Sequence, residues 1–188
     1  MATVFDKILD STTGPKAYDW YRRQVRKMTT PGARGLINQG KATMRPKYGV
    51  MNLFGYDAKH KATLPYYDRF PLIFPIEPAK GGFYGCNFHY LPYGTRVAFL
   101  RRLSEFASDK RYDKKTRYKF NYNALRNNPY MKKTTKHYLW NHVRTTFLNI
   151  TADEMPIAIF LPVARFVGAS QEAVWRRAYW QFLEAANE

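Results

Sequence analysis

FPLIFPIEPAKGGFYGCNFHY, residues 70–90, decides the fold class. Two apolar, aromatic-rich runs, 70–76 and 83–90, flank Glu77-Pro-Ala-Lys-Gly-Gly82, a turn-rich segment that suits a hairpin loop. In the second run Phe83, Gly85, Asn87 and His89 alternate with Tyr84, Cys86, Phe88 and Tyr90, so this strand presents two differently composed faces. YGVMNLFGY (48–56) has the same β character and leads into a turn at Asp57 to Lys61. Together these predict a small, curled antiparallel sheet over residues 47–91.

Working outward, the sequence predicts helices on both sides. After Pro92 a helix runs from about Thr95 to Ala107, with Val97, Leu100, Leu103 and Phe106 inward and Arg96, Arg101 and Arg102 outward. TTKHYLWNHVRTTFL (134–148) reads as a helix capped by Thr134, with Leu139, Val143 and Phe147 at spacing four. A short apolar strand, Ile157 to Leu161, and a helix from Ser170 to about Ala186 follow. Upstream, Val4, Phe5, Ile8 and Leu9 make a short apolar turn, and a helix spans about Pro15 to Thr29. Its Tyr18, Tyr21, Val25 and Met28 fall at spacings of three and four, with Arg22, Arg23, Arg26 and Lys27 mainly on other faces. Pro31-Gly32 ends it, and the glycine-containing stretch to Pro46 reads as an extended arm. The expectation is an α+β fold: a small antiparallel sheet packed with several helices in a single domain, 47–188, preceded by a basic N-terminal helix and arm, 1–46.

A hydrophobic content of 45% with 17% aromatics excludes a disordered chain, and 188 residues can bury a real core. The single cysteine, Cys86, excludes an internal disulfide. The longest apolar candidate, Met155 to Val163, is broken by Pro156 and Pro162 and falls short of the roughly 20 residues a bilayer span needs. MATVFDKILDS carries Asp6 and too short an apolar stretch for a signal peptide, so the protein is expected to stay where it is made or to be built into a particle there.

Charge gives the strongest functional signal: 31 Lys and Arg against 14 Asp and Glu leave a formal +17. Self-repulsion of that size calls for an acidic partner, and nucleic acid is the usual one. The charge is uneven, +8 over residues 1–64 and +10 over 101–144, with +1 between them and −2 after. Binding residues are therefore sought among Arg22, Arg23, Arg26 and Lys27, among Arg34, Lys41, Arg45 and Lys47, and among Lys110, Arg111, Lys114, Lys115, Arg117 and Lys119. Cations interleaved with tyrosines offer phosphate contacts and stacking surfaces together. The competing reading is a solvated surface, or one that meets acidic protein. No groove-reading motif occurs, so DNA binding is expected to be sequence-nonspecific.

Catalytic and metal signals are weak. Cys86 and His89 would point to opposite strand faces, and His137 and His142, five apart on a helix, would be splayed about 140° around its axis, so no zinc site is expected. Asp68, Glu77 and Lys80 resemble the acid, acid and lysine of metal-dependent restriction-type nucleases, but those sites need the second acid and the lysine one residue apart on a strand face. Here the spacing is E-x-x-K with Pro78 between. No nucleophile elbow, P-loop, dinucleotide fingerprint or zincin motif is present. Among the aromatics Tyr66, Tyr67, Phe70, Phe74, Phe83, Tyr84, Phe88 and Tyr90, the phenylalanines read as core, and the tyrosines stay open between core rim and stacking platform.

LPYYDRFPLIFPI (64–76) with GGFYGCNFHYLP (81–92) resembles a family of virion proteins of contractile-tailed phages commonly labelled DNA end protector. The resemblance continues through Lys136–Arg144, Ala158–Pro162 and Gln171–Trp175, covering roughly residues 47–180. It implies a non-enzymatic structural protein that binds the end of the packaged genome or neighbouring subunits near the head–tail junction, in the virion and, during assembly, the host cytoplasm. Other virion proteins, DNA and further copies in a larger assembly are the expected partners, with no cofactor, metal or membrane. The rival expectations are a tail or baseplate protein whose positive surface meets acidic subunits, and a metal-dependent nuclease.

Overall fold

A computed structural model describes residues 2–29, 32–108 and 127–186. The predicted hairpin is its centre: β4 (Leu72–Ala79) pairs antiparallel with β5 (Gly82–Asn87), with Ala79 opposite Gly82 across a two-residue turn, Lys80-Gly81. The tandem glycine has two separate causes. Gly81 holds φ +70°, a conformation that side-chain-bearing residues adopt only under strain, and a Cβ on Gly82 would collide with the Tyr138 carbonyl of the adjoining strand. β4 carries Pro75 and Pro78, which lack donors; both lie beyond the ladder that β2 (Met51–Leu53) makes with Leu72 and Ile73, and a bulge falls between Pro75 and Glu77.

The sheet is larger than residues 47–91. Its six strands run in the order β1 (Ala42–Thr43), β7 (Phe147–Ile150), β2, β4, β5, β6 (Thr135–Leu139), all antiparallel neighbours. The segment 134–148, expected as a helix, instead supplies β6, a 3₁₀ turn at Trp140–His142 and β7. A spacing of four is also an even spacing, so Leu139, Val143 and Phe147 satisfy a strand as well as a helix. The β-branched threonines and the open edges of β5 and β2 decide for strands. A second sheet of two strands, β3 (Tyr67–Asp68) and β8 (Phe166–Val167), stands apart.

The two faces of the large sheet differ. Met51, Leu53, Leu72, Phe74, Ile76, Cys86, Leu148 and Ile150 share the main core with helix residues, whereas Phe54, Tyr56, Ile73, Phe83, Tyr138 and Phe147 form a separate aromatic cluster. Phe74, Phe83 and Phe88 are buried and Phe70 is packed against the main core, as predicted. Helix α1 (Val4–Leu9) brings Val4, Phe5 and Ile8 into that core under a capping box of Thr3 and Asp6. α2 (Tyr18–Lys27) adds Val25. The stretch expected as an extended arm folds as well: α3 (Ala33–Ile37) buries Ala33, Leu36 and Ile37, and β1 pairs with β7. Its three core residues at spacings of three and four outweigh its glycines.

α4 (Tyr93–Ser108) turns Phe99, Leu100 and Leu103 inward. It also buries Arg96, which was expected outside. Residues 96, 99, 100 and 103 follow the helical spacing, so position fixed the burial and residue type did not. The guanidinium donates to the carbonyls of Leu91 (2.8 Å), Ile159 (2.9 Å) and His89 (3.3 Å) and lies over the Tyr93 ring. After α5 (Pro129–Thr134), Ile157–Leu161 belongs to α6 (Met155–Ala158) and its continuing turn, not to a strand: Pro156 occupies the first helical turn, and Phe160 and Leu161 donate to Ile157 and Ala158. Burial of every side chain in that run hides any period. α7 (Gln171–Ala186) closes the chain. No helix among the described residues is long and apolar enough to cross a membrane.

Candidate functional site

Arg22, Arg23, Arg26 and Lys27 all lie exposed on α2. The pairs 22/26 and 23/27 make two stripes at i, i+4, the second opposite buried Val25 and the first flanking it. With Tyr18, Trp20, Tyr21 and Met28 packed against the core, the helix is fixed and its cations point to solvent. Arg34 is exposed on α3, and Lys41, Arg45 and Lys47 are exposed around β1. Arg45 stacks 4.2 Å over the Trp140 ring beside a hollow of about 460 Å³ shared with Met44, Val143 and Arg144. Lys110, Arg111, Lys114, Lys115, Arg117 and Lys119 lie outside the described residues.

A second basic and aromatic feature joins segments distant in sequence. A cavity of about 450 Å³ opens between the loop after β2, the 64–68 segment, β6 and α7. Tyr66, Tyr67 and Tyr90 line it, and Lys59, His60, Lys136, His137 and Arg177 bring donors to it. The tyrosines left open from sequence thus divide: these three face a cavity, and Tyr84 lies exposed on β5 against the His137 ring, 5.0 Å away. The Lys136 ammonium stands 4.7 Å over the Tyr90 ring, and Arg177 stands 5.8 Å over Tyr66. Burial pushes Lys136 below the ordinary lysine value. None of the cavity's cations was selected from sequence, because only β5–β6 and β3–β8 pairing and the docking of α7 bring their segments together.

Asp68 anchors this wall. Its carboxylate accepts from His89 Nδ1 (2.7 Å), Asn87 Nδ2 (3.1 Å) and the backbone amides of Phe70 (3.0 Å) and Arg165 (3.4 Å). Burial raises such a carboxyl, but these donors, His89 foremost, more than reverse it and hold Asp68 below the usual range. The bonds tie β3, and Tyr67 with it, to the 3₁₀ turn that carries Tyr90. Phe166 on β8 braces both Tyr90 (5.1 Å) and Tyr66 (6.3 Å) edge-on. Trp175 of α7 donates to the His89 carbonyl at 2.8 Å, setting the helix that presents Arg177.

The nuclease triplet is not assembled. Asp68 bonds Asn87 at the foot of the hairpin, opposite Ile73, whereas Lys80 lies in the turn seven residues on, about 20 Å along the strand. Cys86 is buried, its thiol pushed up to about 12 by that burial, and contacts Thr135 and the Met131 carbonyl. Among the described residues no three His, Cys, Asp or Glu side chains are grouped to hold a metal. The described residues present a set of exposed cations and an aromatic-walled, cation-rimmed cavity.

Comparison with known proteins gives one family: the family model described as phage T4 terminal DNA protecting protein matches residues 9–181. No curated protein and no solved structure matches the chain.

Proposed function

This chain belongs to the phage T4 terminal DNA protecting protein family, and from that premise we propose that it binds the ends of packaged duplex DNA and shields them without catalysis. The observation that carries the reading is the match across residues 9–181, nearly the whole chain, on a molecule with a formal charge of +17. The fixed α2 stripe of Arg22, Arg23, Arg26 and Lys27 supplies phosphate contacts of a kind that counterion release makes favourable on any sequence. In this reading the protein is a structural component of a tailed-phage virion at the head–tail junction, after assembly in the host cytoplasm, alongside other virion proteins and further copies of itself.

The test is protection. Linear duplex is incubated with protein and challenged with a double-strand exonuclease; resistance that saturates at a fixed number of proteins per end is expected. Digestion at the unprotected rate, with the protein bound to the DNA, overturns the end-shielding role.

A tail or baseplate position, with the positive surface against acidic subunits, has its own support. Met44 is 80% exposed, and Tyr179 and Trp180 at 50% and 59% lie side by side on α7, apolar surface of the sort that subunit contacts cover. Labelling the chain within assembled particles separates the neck from the baseplate.

A further inference from the structure

We propose that the cavity lined by Tyr66, Tyr67 and Tyr90 receives a single unpaired nucleotide at a DNA end, its base against the half-buried Tyr66 and Tyr67 and its phosphate on Lys136 and Arg177. The proposal rests on the DNA-binding reading above and gives it what an exposed basic surface lacks, a way to tell an end from the interior of a duplex.

The dimensions select the occupant. At about 450 Å³ the cavity falls within the roughly 300–1,000 Å³ of small-molecule sites. A B-DNA duplex, whose major and minor grooves alone are about 12 and 6 Å wide, is too broad for a cavity of that size, so a duplex stays outside and one nucleotide enters. The lining selects an anion with a flat apolar face. Lys59, Lys136 and Arg177 stand against one carboxylate, Asp68, whose two oxygens already accept from four donors and cannot take up the cations. Tyr66 and Tyr67 are half-buried and line the cavity, with the buried Tyr90 behind them. Base stacking on tyrosine is sequence-tolerant, because every base has a π face. The wall is already in place: Phe166 braces the Tyr66 and Tyr90 rings, the β3–β8 ladder pairs Asp68 with Phe166, and the Asp68–His89 bond locks β3 to the Tyr90 turn, so little ordering is left for the ligand to impose. Only a terminal or overhanging nucleotide can leave the stack at small cost, so the cavity favours ends.

The experiment compares short duplexes of one sequence: blunt and open, open with a three-nucleotide overhang, and closed at both ends by hairpin caps. The full-length protein is expected to bind the open forms more tightly than the capped one. Arg177→Ala and Tyr66→Ala should lower open-end affinity by about 10- to 100-fold and leave capped-duplex affinity, set by other cations, unchanged. A 5-iodouracil at the terminal position should photocrosslink to the unmodified protein and not to Tyr66→Ala, whereas an internal one should not crosslink to Tyr66. Overhang binding tighter than blunt assigns the nucleotide to a single-stranded tail, and equal binding assigns it to a frayed pair; both support the cavity. An end preference that survives in both variants, with thermal melts showing them folded, overturns the cavity and leaves end protection standing. Absence of binding to any duplex by the unmodified protein overturns the DNA reading, and this proposal with it.

Discussion

Asp68 and His89 put a carboxylate and an imidazole 2.7 Å apart with side chains 1% and 0% exposed, and that burial makes them sensitive to acid. Burial pushes His89 below its ordinary value of 6.5 and outweighs the attraction of Asp68. The imidazole is then neutral, with Nδ1–H donating to Asp68 and Nε2 left as a buried acceptor without a partner among the described residues. Both groups act in the same direction. With the folded value of His89 lowered, the unfolded chain takes up the proton first, so stability falls as pH drops below about 6.5. With the folded value of Asp68 also lowered, its contribution is whole above 3.8 and is lost as pH falls further, through the depressed folded value. Urea midpoints should therefore decline between pH 7 and 5, and His89→Asn should flatten that decline; a native profile flat over this range would contradict it. Asp68→Ala, which strands four donors, should cost about 3–5 kcal/mol at pH 7 by denaturant titration.

α2 is the element whose charge the DNA reading uses most directly. Each phosphate neutralised adds about −0.9 to the slope of log affinity against log salt. The double variant Arg22→Ala/Arg26→Ala removes one stripe of exposed cations and should reduce the magnitude of that slope by about two without lowering the melting temperature. An unchanged slope in a filter-binding series would move the phosphate contacts elsewhere. This helix was legible in sequence because its apolar residues recur at spacings of three and four and its arginines avoid them. The hairpin was legible for a similar local reason, two apolar runs around a glycine turn. β6, β7 and α6 were not, since an i, i+4 repeat fits strands too and a fully buried run has no period. Arg96 misled through its type, although its spacing with Phe99, Leu100 and Leu103 already placed it inside. The candidate cavity was half legible: Tyr66, Tyr67 and Tyr90 stood out as an aromatic group, whereas Lys59, Lys136 and Arg177 meet them only through pairings between distant strands and the docking of α7.

For the molecule as a whole, +17 on 188 residues is a destabilising load that an anionic partner relieves. A ligand that binds the folded chain alone stabilises it by mass action, about 2.7 kcal/mol at a hundred times its dissociation constant. In a chain of this size each kcal/mol moves the melting temperature by about 2–4 °C, so saturating duplex DNA should raise it by roughly 5–10 °C. The rise should shrink steeply with added salt, because the same counterions that weaken binding also screen the self-repulsion of the free protein. Salt alone, without DNA, should therefore stabilise modestly, and salt with DNA should converge on the same melting temperature from above. Tyr66→Ala separates the partner classes. An acidic polypeptide also raises the melting temperature, yet it has no terminal base to place against Tyr66, so Tyr66→Ala should leave its shift intact and reduce that of open-ended DNA. Equal shifts from both ligands, indifferent to Tyr66→Ala, would mark the charge as a general adhesive for subunits and not as a reader of DNA ends.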